Sequence, residues 1–170
     1  MNKFIYLVIF LVIFSGKINA QFQTVQIGVN GMTCSQCTKN VEMSIRKLNF
    51  VDEVRMDIQN TEGEITFKEG GVVDIKRIAQ AVVDAGFSVR YISAVVLFKP
   101  AKVTENYCWI FQNSHYQFVK ITDRELVGLV KINFIGKHFM PHDEYKKWES
   151  VVKAAENKGC EANYIYFITL

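Results

Sequence analysis

The chain has 170 residues, of which 49% are hydrophobic and 22% charged, and its formal net charge at pH 7 is +3. A chain of this length fits one ordinary domain or two small ones. A charge so close to neutral gives no electrostatic case for binding nucleic acid or an anionic membrane surface.

The first 20 residues have the pattern of a secretory signal peptide. A positive start at Lys3 is followed by an uninterrupted apolar run at 4–14 and a short polar segment that ends at Ala20. The run is too short for a transmembrane helix, which needs about 20 apolar residues. We therefore expect cleavage after Ala20 and export to the periplasm or the extracellular space, with no membrane contact beyond the cleaved signal.

Residues 21–92 predict a small α+β domain. Apolar periodicity predicts, in chain order, a strand at 24–29, a helix at 35–48, a hairpin at 51–58 and 64–67, a second helix ending before Gly86, and a strand at 87–91. The order strand, helix, strand, strand, helix, strand is that of a ferredoxin-like split β-α-β fold, with both helices on one face of the sheet.

The stretch at 31–37, which reads GMTCSQC, lies between the first strand and the first helix. Two thiols separated by two residues can converge on one ion when Cys34 lies in the loop and Cys37 in the first helical turn. The free N–H groups and the positive dipole end of that helix favour the thiolate form of Cys37. Thiolates are soft donors, so this pair predicts a site for Cu(I) or a similar soft metal.

A family resemblance rests on these residues. The run at 25–37, with Val41-Glu42 in the next helical turn and Ala85-Gly86-Phe87 further on, resembles the heavy-metal-associated domains of copper chaperones and copper-transporting ATPases. It is similar to the periplasmic mercury-binding protein as well. The resemblance covers residues 21–92 and implies Cu(I) as the bound ion, with Hg(II) as the open alternative, and a metal-transporting or metal-accepting protein as the partner.

The resemblance also implies roles for three residues around the cysteines. Zinc-selective relatives tend to have Asp at the place of Thr33, so Thr33 makes Zn(II) less favoured. Met32 is expected to pack inward beneath the loop rather than bind the metal. Phe87 is expected to shield the site, and plain core packing of this ring is an equal alternative.

The two cysteines also allow a redox interpretation. A Cys-x-x-Cys pair in an oxidising compartment can cycle between dithiol and disulfide. The surroundings are not thioredoxin-like, since no Trp precedes Cys34. No recognisable motif elsewhere combines a nucleophile with a base, so we expect a binding protein rather than an enzyme.

Residues 93–170 are rich in Tyr, Trp and Phe and carry no motif that indicates a family. They predict a second small α+β domain, an antiparallel sheet with one helix. Its strands are expected at 94–98, 107–111, 116–121, 126–132 and 164–169, and its helix between Pro141 and Gly159.

Two further groups in this half have candidate roles. Cys108 and Cys160 are expected to form a disulfide, in preference to two free buried cysteines. The donors His138, Met140 and His142 form a candidate second copper site. The competing interpretation is a loop-to-helix junction, with His142 near the helix start and the neighbouring phenylalanine in the core.

Overall fold

A computed structural model of the protein describes residues 22–156 and 158–170. The predicted signal peptide, residues 1–20, lies outside the described residues. Along the part of the chain that the structure describes, no helix is long and apolar enough to cross a membrane.

The first half has the predicted ferredoxin-like arrangement. Strand β1 pairs antiparallel with β3 and β4, and β2 pairs antiparallel with β3. The α+β prediction is therefore confirmed. The elements are β1 (Phe22–Asn30), α1 (Ser35–Arg46), β2 (Val51–Asp57), β3 (Glu62–Phe67), α2 (Ile75–Asp84) and β4 (Ser88–Val103).

The second half adds four strands and one helix. All eight strands join one sheet in the order β2-β3-β1-β4-β7-β8-β6-β5. The sheet is mixed rather than wholly antiparallel, because β6 and β8 run parallel. The elements are β5 (Cys108–Phe111), β6 (Ser114–Phe118), β7 (Arg124–Ile135), α3 (His142–Ala155) and β8 (Ile165–Thr169).

Strand β4 connects the two halves of the sequence. It is 16 residues long, pairing with β1 near its start and with β7 from Ser93 onward. The predicted domain boundary after Ile92 falls inside this strand, where Ile92 pairs with Ile27 and Ser93 with Asn133. The halves thus share backbone hydrogen bonds along one continuous strand.

The helices lie on opposite faces of the sheet. Phe134 and Ile168 belong to the large core that includes α1 and α2, whereas Ile135 and Phe167 pack in a smaller cluster with α3. Because successive side chains of a strand point to opposite faces, α3 covers the face away from α1 and α2. The sheet therefore has α1 and α2 on one side and α3 on the other.

Each helix in the first half begins at a side-chain cap and presents an apolar stripe to the core. Asp74 caps α2 by accepting the N–H of Arg77 at 3.1 Å, which satisfies an otherwise unpaired backbone donor. Beyond α2, Gly86 has a φ of +90°, a left-handed conformation that suits glycine at a helix end. The buried residues of the two stripes are Val41, Ile45, Ile75, Ile78, Ala79, Ala81 and Val82.

An aromatic cluster extends the large core into the second half. The ring of Phe22, at the start of β1, lies 5.1 Å from that of Phe111 and 6.1 Å from that of Tyr116, centroid to centroid. Nearby, Cys108 is bonded to Cys160, with their Cα atoms 5.1 Å apart. The disulfide joins β5 to the segment that precedes β8.

Candidate metal centre

The dithiol loop, residues 31–37, connects β1 to α1. Gly31 has a φ of +83°, which turns the chain sharply at the end of the strand. Cys34 is the N-cap residue of α1, and its Sγ accepts the N–H of Cys37 at 3.1 Å. The first turn of α1 contains no acidic residue, so no carboxylate offsets the positive end of the helix dipole beside the sulfurs.

The two site cysteines are bonded to each other in this structure, with Cα atoms 5.1 Å apart. Cys34 is exposed, and Cys37 is half-buried against the large core. The sulfurs can therefore approach one another closely at the surface of the protein. A disulfide offers no thiolate to a metal, so this is the oxidised form of the site, and binding requires its reduction.

Thr38 holds the backbone of the loop and was not singled out from the sequence. Its hydroxyl donates to the carbonyl oxygen of Cys34 at 3.1 Å, and its N–H reaches the same oxygen at 3.0 Å. The four-residue spacing from Cys34 to Thr38 could have indicated this contact, because threonine in a helix often bonds back to the carbonyl four residues earlier.

Met32 and Thr33 lie in very different surroundings. Met32 is 0% exposed and packs in the large core, so its thioether lies beneath the loop among apolar side chains. Thr33 is exposed. In this arrangement Met32 anchors the loop, while Thr33 stands beside the cysteines in solvent.

Phe87 packs at the edge of the dithiol loop. A Cβ on Gly31 would lie 3.7 Å from Cδ1 of the Phe87 ring, and the ring is half-buried against the large core. The N–H of Phe87 donates to the carbonyl of Val82 at 3.1 Å, which fixes the chain as it leaves α2. The Phe87 ring thus packs against the core and also flanks the dithiol loop.

The three donors of the predicted second site line a single cleft. His138, Met140 and His142 lie in the β7–α3 loop and at the start of α3, opposite Lys76 of α2 and beside Lys137. Among the residues that the structure describes, no group of three or more His, Cys, Asp or Glu side chains is placed to hold a metal ion. A metal at this second site stays a prediction.

A ferredoxin-like fold with a surface Cys-x-x-Cys pair at the start of its first helix defines a class of small dithiol-bearing proteins. The family model for the heavy-metal-associated domain matches residues 26–88. The chain belongs to the heavy-metal-associated domain family through this part of its sequence.

Two relatives illustrate the range of the family. The chain is 34% identical over 68 residues to the mercuric transport protein periplasmic component of Serratia marcescens, covering 40% of this chain and 74% of that protein. It is 35% identical over 65 residues to copper-transporting ATPase 1 of Rhizobium meliloti (strain 1021), covering 38% of this chain. The chain spans only 8% of the length of that ATPase.

Among solved structures, oxidized MerP from Ralstonia metallidurans CH34 is 30% identical, with a TM-score of 0.37. The match covers 41% of this chain and 96% of that one.

Proposed function

We propose that this protein is exported and binds Cu(I) through the thiolates of Cys34 and Cys37, to deliver the ion to a partner or to sequester it. The observation that carries the proposal is the pair of adjacent sulfurs at the start of α1, one of them on the exposed residue Cys34. Two soft donors bind Cu(I) and leave room for an incoming thiolate from another protein. An ion with only two protein ligands can be transferred to that incoming thiolate.

Export and partner are part of the same proposal. The N-terminal pattern supports release into the periplasm or the extracellular space, and the ATPase relatives support a metal-transporting or metal-accepting partner. The protein acts as a binding protein, without catalysing a reaction. Cell fractionation and N-terminal sequencing of the secreted form test the export step; a mature chain that still begins at Met1 would contradict it.

Reduction precedes binding in this proposal. A thiol reductant supplies two electrons and two protons, the Cys34–Cys37 bond breaks, and two thiols form while the reductant becomes a disulfide. Each thiol then loses its proton as it binds the metal. Protein kept oxidised should not bind Cu(I), whereas the same sample after reduction should.

The direct test is a Cu(I) titration of the reduced protein in competition with a chromogenic chelator. We expect one tightly bound ion for the unaltered protein and loss of that ion in the C34S, C37S double variant. Serine is a good N-cap residue, so α1 should persist and the loss should not reflect unfolding. The S35A variant, which changes an exposed neighbour and keeps both thiols, is the control. Unchanged affinity in the double variant would refute the assignment.

Mercury is the second candidate for the same site, and the relative from Serratia marcescens favours it. Hg(II) is also a soft ion that prefers two thiolates. The test compares expression of the gene after exposure to sub-lethal copper or mercury. Selective induction by mercury would favour a mercury scavenger, and selective induction by copper would favour the leading proposal.

A thiol–disulfide redox protein is the alternative of a different class. The placement of Cys34 and Cys37 as a bonded pair supports it, because a redox protein of this kind cycles between a dithiol and a disulfide. Insulin reduction and dithiol oxidation assays separate this class from the metal-binding proposal. Turnover that depends on both cysteines, together with no metal affinity after reduction, would establish the redox role instead.

A further inference from the structure

A basic cleft lies between α2, the beginning of β4 and the loop that joins β7 to α3, and its volume is about 270 Å³. We use "basic cleft" for this site throughout. It shares no residue with the dithiol loop, although its β4 wall begins at Ser88, directly after Phe87. Its polar lining consists of Lys76, Gln80, Ser88, Lys137, His138 and His142.

The charge of this lining has one sign. Lys76 and Lys137 supply the positive charge, and no Asp or Glu side chain lines the cleft. Within residues 22–156 and 158–170, neither Lys76 nor Lys137 forms an ion pair with a carboxylate. A tyrosine ring lies beside each of these ammonium groups. The Nζ of Lys76 lies 4.4 Å from the ring centroid of Tyr164, and the Nζ of Lys137 lies 5.6 Å from that of Tyr145.

The other polar groups of the basic cleft include hydrogen-bond donors. Ser88 offers a hydroxyl, and Gln80 offers the second N–H of an amide whose nitrogen also donates to Asp84 Oδ1 at 2.8 Å. The 14-residue helix α3 begins beside them, and its N-cap Pro141 makes no side-chain hydrogen bond to the first turn. The acidic residues of that turn, Asp143 and Glu144, form ion pairs with Lys146 and Lys147 and do not line the cleft.

We propose that the basic cleft binds a small molecule that carries an oxyanion group, either a carboxylate or a phosphate. Two unneutralised ammonium groups attract an anion, and the hydroxyl, amide and helix N–H groups can donate to its oxygens. The same two ammonium groups repel a cation, so the charge of the lining favours an anion over the metal ion predicted from His138, Met140 and His142. The apolar remainder of the lining accommodates the carbon skeleton of a small organic acid.

The test is a titration followed by ¹H–¹⁵N NMR on the purified protein, with sodium phosphate and sodium succinate as the probes and sodium chloride at equal ionic strength as the reference. We expect saturable shifts of the Ser88, Val89 and His142 amide signals with at least one probe. A response to phosphate alone indicates a phosphate ligand, and a response to succinate indicates an organic acid.

The K76Q, K137Q double variant should raise the Kd for the effective probe roughly tenfold or more, because two attractive charges are lost. The matched control is K39Q, K47Q, which removes two exposed lysines of the α1 region and should leave the Kd within about twofold. Both variants keep long side chains at exposed positions, and their spectra report whether they are folded.

Three results would overturn the proposal. They are the absence of saturable shifts with either probe, equal shifts with chloride, and an unchanged Kd in the K76Q, K137Q variant. Tight Zn(II) binding that shifts the His138 and His142 signals while oxyanions have no effect would assign the cleft to a metal instead. None of these outcomes bears on Cys34 and Cys37, so this proposal and the Cu(I) proposal fail separately.

Discussion

At the scale of single residues, the dithiol loop combines an accessible sulfur with a buried anchor. Cys34 is exposed and caps α1, while Met32, two residues earlier, is completely buried. The thiols can therefore meet a partner while the loop keeps its place on the core. The proposed metal preference and the stability of the loop involve different side chains, so they can be tested separately.

The T33D variant should shift metal preference toward zinc. An exposed carboxylate beside the two thiolates supplies a hard oxygen donor that suits Zn(II) better than Cu(I). We expect Zn(II) affinity to rise and the ratio of Cu(I) to Zn(II) affinity to fall, measured by competition with chelators for each ion. The control is T33V, which adds no oxygen donor and should leave the ratio near its original value. An unchanged ratio in T33D would show that this position does not select the metal.

The M32A variant should lower the free energy of unfolding by about 2–5 kcal/mol, because a fully buried methionine is replaced by a small side chain that leaves a cavity. Urea denaturation measures this difference. The matched control is M43A on α1, where the side chain is 51% exposed, and its effect should stay within about 0.5 kcal/mol. Equal effects in the two variants would contradict the anchoring role of Met32.

At the scale of elements, two sulfur pairs restrain the chain over very different distances. Cys108 and Cys160 are 52 positions apart and join β5 to the segment before β8, whereas Cys34 and Cys37 are three apart within one loop. A cross-link stabilises mainly by restricting the unfolded chain, and the effect grows with loop length. The longer link therefore has the larger structural role.

The C108S, C160S double variant should lose roughly 4 kcal/mol of stability on this estimate. The C34S, C37S variant removes a link that closes a far shorter loop, and it should lose no more than about 2 kcal/mol. Thermal denaturation under non-reducing conditions compares the two variants with the unaltered protein. A smaller loss in C108S, C160S than in C34S, C37S would contradict the structural role of the longer link.

The sequence predicted the elements of this protein well and their assembly less completely. The α1 stripe and the hairpin are readable because periodicity is local, and the ferredoxin-like prediction is confirmed. The same periodicity gave two strands, at 87–91 and 94–98, where the protein has the single strand β4. Nothing local to β6 and β8 indicates that they pair in parallel, since pairing depends on residues about 50 positions apart.

For the candidate sites as well, the sequence identified only groups that lie close together along the chain. The spacing of Cys34 and Cys37 located the dithiol because both donors lie within one turn. The basic cleft could not be predicted, since Lys76 and Lys137 come from separate elements and meet only in the fold. His138, Met140 and His142 were identified as neighbours in sequence, but the lysines that face them alter the charge of the site.

At the scale of the whole molecule, the shared strand β4 and the contacts of Phe22 with the aromatic cluster join the two halves. Both tryptophans, Trp109 and Trp148, lie in the second half of the sequence. Their fluorescence therefore reports unfolding of that half alone. It can show whether a substitution in the first half also destabilises the second half.

The I65A variant tests this coupling. Ile65 lies on β3 in the first half and is 0% exposed, so its truncation should lower stability by about 2–5 kcal/mol. If the molecule unfolds as one unit, the tryptophan-detected urea midpoint should fall by the same amount as the midpoint from far-ultraviolet circular dichroism. The control is I58A, in the same half but 40% exposed, with a smaller shift. An unchanged tryptophan midpoint in I65A would show that the halves unfold independently.

The aromatic cluster should also make the protein sensitive to alkaline pH. Tyr166 of β8 belongs to this cluster, since its ring stacks on that of Tyr116 with the centroids 5.2 Å apart. Burial, with a smaller effect from the Asp74 carboxylate, raises the pKa of Tyr166 above the ordinary value near 10. Above about pH 10 the unfolded chain loses this proton while the folded protein keeps it, so stability falls as pH rises. The Y166F variant should show a shallower decline of the urea midpoint between pH 9 and 11, that is, around the ordinary tyrosine pKa of about 10. An identical slope in Y166F would contradict a buried, titrating hydroxyl.

The unequal exposure of the two sulfur pairs has a consequence for how the protein responds to its surroundings. Cys34 is open to solvent, whereas Cys108 is half-buried and Cys160 is only 4% exposed within the folded second half. Thiol–disulfide exchange requires that a thiolate reach one of the two sulfurs, so ambient thiols reach the dithiol loop more readily than the longer link. Mild reduction should then free the loop thiols for the proposed metal binding while the longer link stays intact, so the ability to bind is controlled separately from the integrity of the fold.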